Sequence, residues 1–321
     1  MPSLEFRHPL KRSALYSDAK RRERDDWFLS YGMVASERHA QYRDMDWTLL
    51  AAVYCPQAQA GLFDVAVDLL AAWTLLDDSW SGVDDRVALR ALRIGRMLHS
   101  LEHGFAPEAD GWEKPFADIW RRLTVMAPSN LVERMHAAFQ EWLHGCLEQL
   151  ARQTSARPCT VGDYLAIRAR DGGTRELGVL LEIAQGIRLD PADLDHPVLR
   201  RVRDADALLY VYTEDLMSLE KEMQDGQEWN VVLVLARERS LSLQEAVAQV
   251  HELHRAAVTE LHAACAALVG PDTSRLVLRN RQEAMRYAQA VMDAATGLAH
   301  WGYRCPRYTE PVALTATPRT V

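Results

Sequence analysis

Tyr212-Thr213-Glu214-Asp215-Leu216-Met217-Ser218-Leu219-Glu220-Lys221-Glu222 follows the apolar run Ala207-Leu208-Leu209-Tyr210-Val211, and Asn230-Val231-Val232-Leu233-Val234-Leu235 comes soon after it. Glu214, Ser218 and Glu222 recur at every fourth residue. On an α-helix that spacing lines three oxygen-bearing side chains along one face, one per turn. Hard divalent cations such as Mg²⁺ take oxygen ligands, so the row is a candidate half of a metal site. A solvated helix face has the same spacing. The apolar flanks favour the metal site, because carboxylates carried into a core need a counter-charge.

Outward from this stretch the chain reads as helix after helix. The periodicity predicts helices over about 17–31, 36–54, 58–80, 84–102, 116–126, 130–152 and 161–186. Asp190-Pro191 starts a short helix, and the long one carrying the acidic row follows. Further helices are expected over 228–239, 243–269 and 272–303, with Gly270-Pro271 between the last two. No alternating run bounded by turn residues suggests a strand. One all-α domain of ten or more helices accounts for the pattern, covering 15–308 between a loose tail over 1–14 and a polar tail over 309–321.

Composition narrows the function. The 321 residues are 48% hydrophobic, enough for a sizeable core. A net charge of −8 argues against a nucleic-acid partner, since phosphate-backbone binders carry basic surfaces. The chain carries no leader pattern and no apolar run long enough for membrane insertion, so a soluble cytoplasmic protein is expected. Cys55, Cys146, Cys159, Cys265 and Cys305 are scattered, with no zinc-type or disulfide spacing. Lysine occurs at only four positions, so Lys221 stands out inside the acidic stretch.

Three further groups matter. Asp77-Asp78 ends an apolar helix, where the helix dipole disfavours negative charge and a cation would relieve it; an acidic loop start is the plainer account. Arg168 lies on a mostly apolar helix just before Asp171-Gly172-Gly173, two glycines where a helix should continue. A break there would turn backbone carbonyls toward a cavity. Arg307-Tyr308 is a basic–phenol pair that, by itself, is a tail fragment.

Taken together these groups resemble the bacterial class I terpene synthases. Asp77-Asp78 matches the family's Asp-rich motif, and Glu214 to Glu222 matches its Asn-Asp-x-x-Ser-x-x-x-Glu motif, with Lys221 before the last Glu. Arg168, Asp171 and Gly172 match the diphosphate sensor, linker and effector; Arg307-Tyr308 matches the terminal Arg-Tyr pair, after Trp301. The motifs come in family order over about 77–308. Two departures stand out: Glu214 occupies the Asn position, and Ser81 and Gly82 stand where a third acid is expected, with Asp84 and Asp85 later.

The resemblance implies a helical bundle around a central apolar cavity and a Mg²⁺ cofactor, three ions with diphosphate bound. The implied metal ligands are Asp77, Asp78, Glu214, Ser218 and Glu222. The implied diphosphate partners are Arg168, Lys221, Arg307 and Tyr308, and Trp73 and Trp301 are candidate cavity walls. The implied substrate is an isoprenoid diphosphate, farnesyl diphosphate first; geranylgeranyl diphosphate or a pre-cyclised diterpenoid diphosphate is the alternative. A homodimer is left open. Competing accounts are a chain-elongating prenyl transferase, which would need a second Asp-rich motif, and a non-catalytic helical protein with a degenerate site.

Overall fold

Ser17 accepts a hydrogen bond from the Lys20 amide and starts α1 (Asp18–Leu29). The computed structural model describes residues 4, 6, 8–80, 87–106, 111–155, 157–268 and 277–309. After α1 come α2 (His39–Asp44), α3 (Trp47–Tyr54), α4 (Leu62–Trp80), α5 (Val87–His103), α6 (Glu113–Met126) and α7 (Ser129–Gln153). The second half holds α8 (Val161–Asp171), α9 (Thr174–Gln185), α10 (Pro191–Leu194), α11 (Pro197–Gln224), α12 (Val231–Arg239), α13 (Leu243–Ala267), α14 (Arg281–Gly302) and α15 (Pro306–Thr309). No β-strand forms among the described residues, as the all-α pattern implies.

The helix starts follow capping chemistry. Thr160 with Asp163 and Ser242 with Glu245 form capping boxes at α8 and α13. Asp190 caps α10 ahead of Pro191, and Asn230 caps α12 by accepting from the Val232 amide.

Several expected boundaries shift. The helix expected over 36–54 is a 3₁₀ turn (Ser36–Arg38) followed by α2 and α3, broken at Asp46, which takes a left-handed φ of 51°. Apolar residues continue through the break because Met45 and Trp47 are both buried, so periodicity alone does not reveal it. The helix expected over 161–186 divides at Gly172-Gly173 into α8 and α9. α14 starts at Arg281 rather than near 272; residues 272–276 lie outside the described set. The expected loose N-terminal tail is tied down at several points: Lys11 pairs with Asp293 at 3.0 Å, and the Ser13 amide donates to the Ala52 carbonyl. After the last expected helix, α15 carries Arg307 and Tyr308, which by themselves read as a tail fragment, into the core, where both are buried.

α4 is apolar nearly all round and packs on α1, α3, α6 and α9, so it is a central rod rather than a surface helix. α11 is the second rod, packed on α13, α14, α12, α8 and α15. The C-terminal ends of α4, α8 and α11 meet α15 at one end of the bundle. Their helix dipoles point negative ends at the same place, where the acidic side chains also collect.

Candidate active site

Arg168 is the hinge of the cluster at that end. Its Nη2 donates to Glu214 Oε2 at 2.7 Å and reaches Asp215 Oδ1 at 3.4 Å, while Nη1 reaches Asp171 Oδ1 at 3.5 Å. One guanidinium from α8 thus ties the break after α8 to the acidic face of α11. Arg307, carried in by α15, forks onto Asp78 at the end of α4: Nε to Oδ2 at 2.9 Å and Nη2 to Oδ1 at 2.8 Å. Its Nη1 stands 3.5 Å from Glu214 Oε1, and Lys221 Nζ lies 3.4 Å from Asp78 Oδ1. The ends of α4 and α11 are therefore linked through Arg307 and Lys221.

The acidic row lies along one face of α11. Ser218 Oγ is 3.4 Å from Glu214 Oε2, and Glu222 accepts from Asn230 Nδ2 at 2.8 Å. The same Asn230 amide donates to the Asp215 carbonyl at 2.7 Å. Asp215, one position round the helix, is fully buried and accepts from the Tyr164 hydroxyl and, at 2.7 Å, from the Val231 amide. Asp171 accepts from Trp229 Nε1 at 3.0 Å.

The electrostatics are crowded. Burial and the adjacent Asp78 charge push the Asp77 carboxyl up to about 6. Burial would also raise Asp78, but Arg307 and Lys221 overcome it and hold that carboxyl well below the usual carboxylate range. Burial and then the Glu214 and Asp215 charges raise Glu222. Burial disfavours the cation at Arg168 and Arg307, yet the surrounding acids keep both firmly charged. The carboxylates of Asp77, Asp78, Asp171, Glu214, Asp215 and Glu222 outnumber the cations Arg168, Lys221 and Arg307 among them.

That donor set fits a hard cation: all oxygen, in carboxylate excess, on facing helix ends. Among the described residues no three His, Cys, Asp or Glu side chains converge closely enough to hold an ion by themselves. Coordination would have to draw on Ser218, water or a ligand's oxygens as well.

Behind the ion pairs lies an aromatic and aliphatic cavity. Asp77, Arg168, Asp171, Gly172, Glu214, Arg307 and Tyr308 line its polar end, and Leu50, Tyr54, Trp73, Leu177, Tyr210 and Trp301 line the rest. Its free space is narrow, about 60 Å³, with Arg168 and Arg307 lying across the polar end. Trp73 meets Trp142 edge to face at 5.6 Å; Trp301 meets Tyr308 in the same way at 6.0 Å, and its Nε1 donates to the Met45 carbonyl. Gly173 has a φ of 69°, and a Cβ there would fall 1.8 Å from the Trp73 ring, so only glycine lets α8 break against that indole.

The profile of terpene synthase family 2, C-terminal metal binding, matches residues 68–260. The chain belongs to this terpene synthase family. It is similar to bonnadiene synthase of Allokutzneria albata, 31% identical over 237 residues; the match covers 69% of this chain and spans about two thirds, 64%, of that relative's length. It is similar to (+)-T-muurolol synthase ((2E,6E)-farnesyl diphosphate cyclizing) of Roseiflexus castenholzii, 28% identical over 71% of each chain. Linalool/nerolidol synthase from Streptomyces clavuligerus, solved in complex with 2-fluorogeranyl diphosphate, shares the fold at a TM-score of 0.79 and 22% identity, over 93% of this chain and 98% of that one. As a terpene synthase family member the chain belongs to a metal-binding family.

All the candidate residues named from sequence fall at this end of the bundle or in its cavity wall. Ser81, Gly82, Asp84 and Asp85 lie outside the described residues. Asp215, Tyr164 and Asn230 are not among the site residues read from the sequence. Asn230 carries a readable signal as a helix cap, but its reach to Glu222 depends on how α12 docks.

Proposed function

We propose that this chain is a Mg²⁺-dependent class I terpene cyclase that ionises an isoprenoid diphosphate, farnesyl diphosphate first, and cyclises the cation. Residues 15–308 would form the catalytic domain, working in the cytoplasm, with a homodimer compatible with it. The observation that carries the proposal is the ion-pair belt Arg168–Glu214–Arg307–Asp78–Lys221 closing the polar end of an aromatic cavity. The farnesyl diphosphate named for the T-muurolol synthase supports that substrate.

Asp77, Asp78, Glu214, Ser218 and Glu222 would hold the metal. Bound Mg²⁺ supplies positive charge to the diphosphate oxygens. Arg168, Lys221 and Arg307 would exchange their present carboxylate partners for diphosphate oxygens, and the Tyr308 hydroxyl would add a donor. The substrate's carbon–oxygen bond then breaks, and its electron pair leaves with the diphosphate. These donors stabilise charge where it develops. The allylic cation left behind faces the rings of Trp73 and Trp301, each worth roughly 0.5–2 kcal/mol to a nearby cation. Leu50, Leu70, Leu177 and Leu298 keep bulk water from it.

The test is incubation with geranyl, farnesyl and geranylgeranyl diphosphates, with and without Mg²⁺, measuring released diphosphate and analysing the products by gas chromatography. Mg²⁺-dependent release with a cyclic C15 product is expected. No release from any of the three, or chain growth when isopentenyl diphosphate is added, would overturn the proposal.

A further inference from the structure

Gly226 ends α11 with a left-handed φ of 68°, and the Gln227 amide donates back to the Glu222 carbonyl at 2.7 Å. That turn sends the chain back toward the site, and α12 then packs on both α8 and α11. Three consecutive residues at its start reach three acids. Trp229 Nε1 donates to Asp171 Oδ2 at 3.0 Å. Asn230 Nδ2 donates to Glu222 Oε2 at 2.8 Å and to the Asp215 carbonyl at 2.7 Å. The Val231 amide donates to Asp215 Oδ2 at 2.7 Å. Asp171 belongs to α8, Asp215 and Glu222 to α11, so this one corner ties both helices.

Trp229 and Asn230 are buried and neither is in the cavity wall, so both act through the acids they hold. The Asn230 amide has one orientation: Oδ1 accepts from the Val232 amide, which can only donate, so Nδ2 must face the two acceptors. Glu222 is thereby fixed by a neutral donor, which orients it without supplying the positive charge that a metal would bring; Asp78 and Glu214 are bound by guanidinium groups instead. Asp171 is held from two sides. Its Oδ2 is tied to the indole, and Oδ1 stays 3.5 Å from Arg168 Nη1, while Glu214 takes the shorter bond from that arginine at 2.7 Å. The Trp229 ring is itself seated on Tyr164, with 4.8 Å between centroids, and the Tyr164 hydroxyl donates to Asp215.

Resting on the cyclase proposal above, we propose that Trp229 and Asn230 are positioning residues that set the two halves of the site separately from one corner: Trp229 through Asp171 onto Arg168, which receives diphosphate, and Asn230 through Glu222 onto the metal. An Asp171 freed from the indole can turn both oxygens to the Arg168 guanidinium, the paired geometry that carboxylate and guanidinium favour. It would then compete with an incoming diphosphate for that arginine. A Glu222 freed from the amide keeps its place on α11 and loses its direction. Groups that orient a metal ligand in this way are worth roughly 10–100-fold in metal affinity or activity.

The experiment uses calorimetry on wild type, Asn230→Ser, Asn230→Ala and Trp229→Phe. It measures Mg²⁺ affinity at saturating inorganic diphosphate, and inorganic diphosphate affinity at saturating Mg²⁺. Thermal melting and diphosphate release from the prenyl diphosphates are recorded alongside. Serine keeps an oxygen to cap α12 and removes the amide; alanine removes both. Phenylalanine keeps the ring on Tyr164 and removes only the N–H. Asn230→Ser and Asn230→Ala should weaken Mg²⁺ alike, by about tenfold or more, with Asn230→Ala melting below Asn230→Ser because only it loses the cap. Trp229→Phe should weaken diphosphate by about fivefold or more and leave Mg²⁺ within about twofold of wild type. Mg²⁺ affinity within about twofold of wild type in Asn230→Ser, or an equally small change of diphosphate affinity in Trp229→Phe, would overturn the proposal. So would both affinities falling together in every variant in step with melting, the pattern of a purely structural role. Wild type that binds Mg²⁺ and diphosphate but releases none from any prenyl diphosphate would defeat the cyclase proposal and leave this pair to be judged by the calorimetry. Wild type that binds neither would defeat both.

Discussion

Lysine in place of Arg168 would keep the charge and lose the fork that reaches Glu214 and Asp171 together. Arg168→Lys is expected to lower diphosphate release by roughly 10²–10³-fold, with melting temperature as the control for folding. Glu222→Gln tests the other side of the cluster. Its amide would still meet Asn230 but would offer a metal one charge fewer, so the Mg²⁺ concentration for half-maximal release should rise about tenfold or more. An unchanged Mg²⁺ titration would remove Glu222 from the ligand set. At this scale the sequence was informative wherever chemistry repeats along one helix: the row on α11 and the Asp77-Asp78 pair are visible as spacing and as misplaced charge. It was silent where partners come from separate elements. Nothing near Asn230 indicates that its amide satisfies both Glu222 and the Asp215 carbonyl, and nothing in Arg307-Tyr308 alone indicates burial.

The break between α8 and α9 shows what a helix-level pattern does and does not carry. Two consecutive glycines made an interruption legible, but its purpose depends on Trp73, about a hundred residues earlier in the chain. Gly173→Ala would combine a left-handed backbone with a Cβ inside the indole ring, so a loss of at least about 1–3 kcal/mol is expected, read as thermal or urea unfolding. Gly162→Ala is the matched control: it lies in the first turn of α8, and its nearest neighbour is the Thr160 hydroxyl at 3.8 Å. It should be neutral or slightly stabilising, since alanine favours a helix over glycine by about 1 kcal/mol. The missed break at Asp46 has the opposite character. One of its carboxylate oxygens caps α3 through the Leu49 amide and the other accepts from the Tyr16 hydroxyl, at a position where the apolar rhythm runs on undisturbed. Helix content was therefore readable, while helix ends set by a single turned residue were not.

Acid sensitivity belongs to the molecule as a whole. His254 on α13 is 1% exposed, meets Phe6 edge to face, and among the described residues its Nε2 has no hydrogen-bond partner. Burial lowers its pKa to about 4, so the unfolded chain takes up the proton first as pH falls. Its contribution to stability is complete above about pH 6.5 and is lost progressively down to about pH 4, on the order of 3 kcal/mol in all. His254→Gln should flatten the fall in melting temperature across that window; parallel curves for the two proteins would refute it. Fold class could be read from periodicity and cap residues because each helix must bury one face. Which helix end meets which is set by packing across the whole chain.

α15 follows every other wall of the cavity in chain order, and its Arg307 is the clamp on Asp78. During synthesis the ribosome therefore delivers the pocket's greasy walls first and its clamp last. A nascent chain made only as far as α14 would lack the guanidinium that forks onto Asp78. On the proposed cyclase chemistry, ionisation would then start only once this final turn has docked, and a half-made copy would stay harmless.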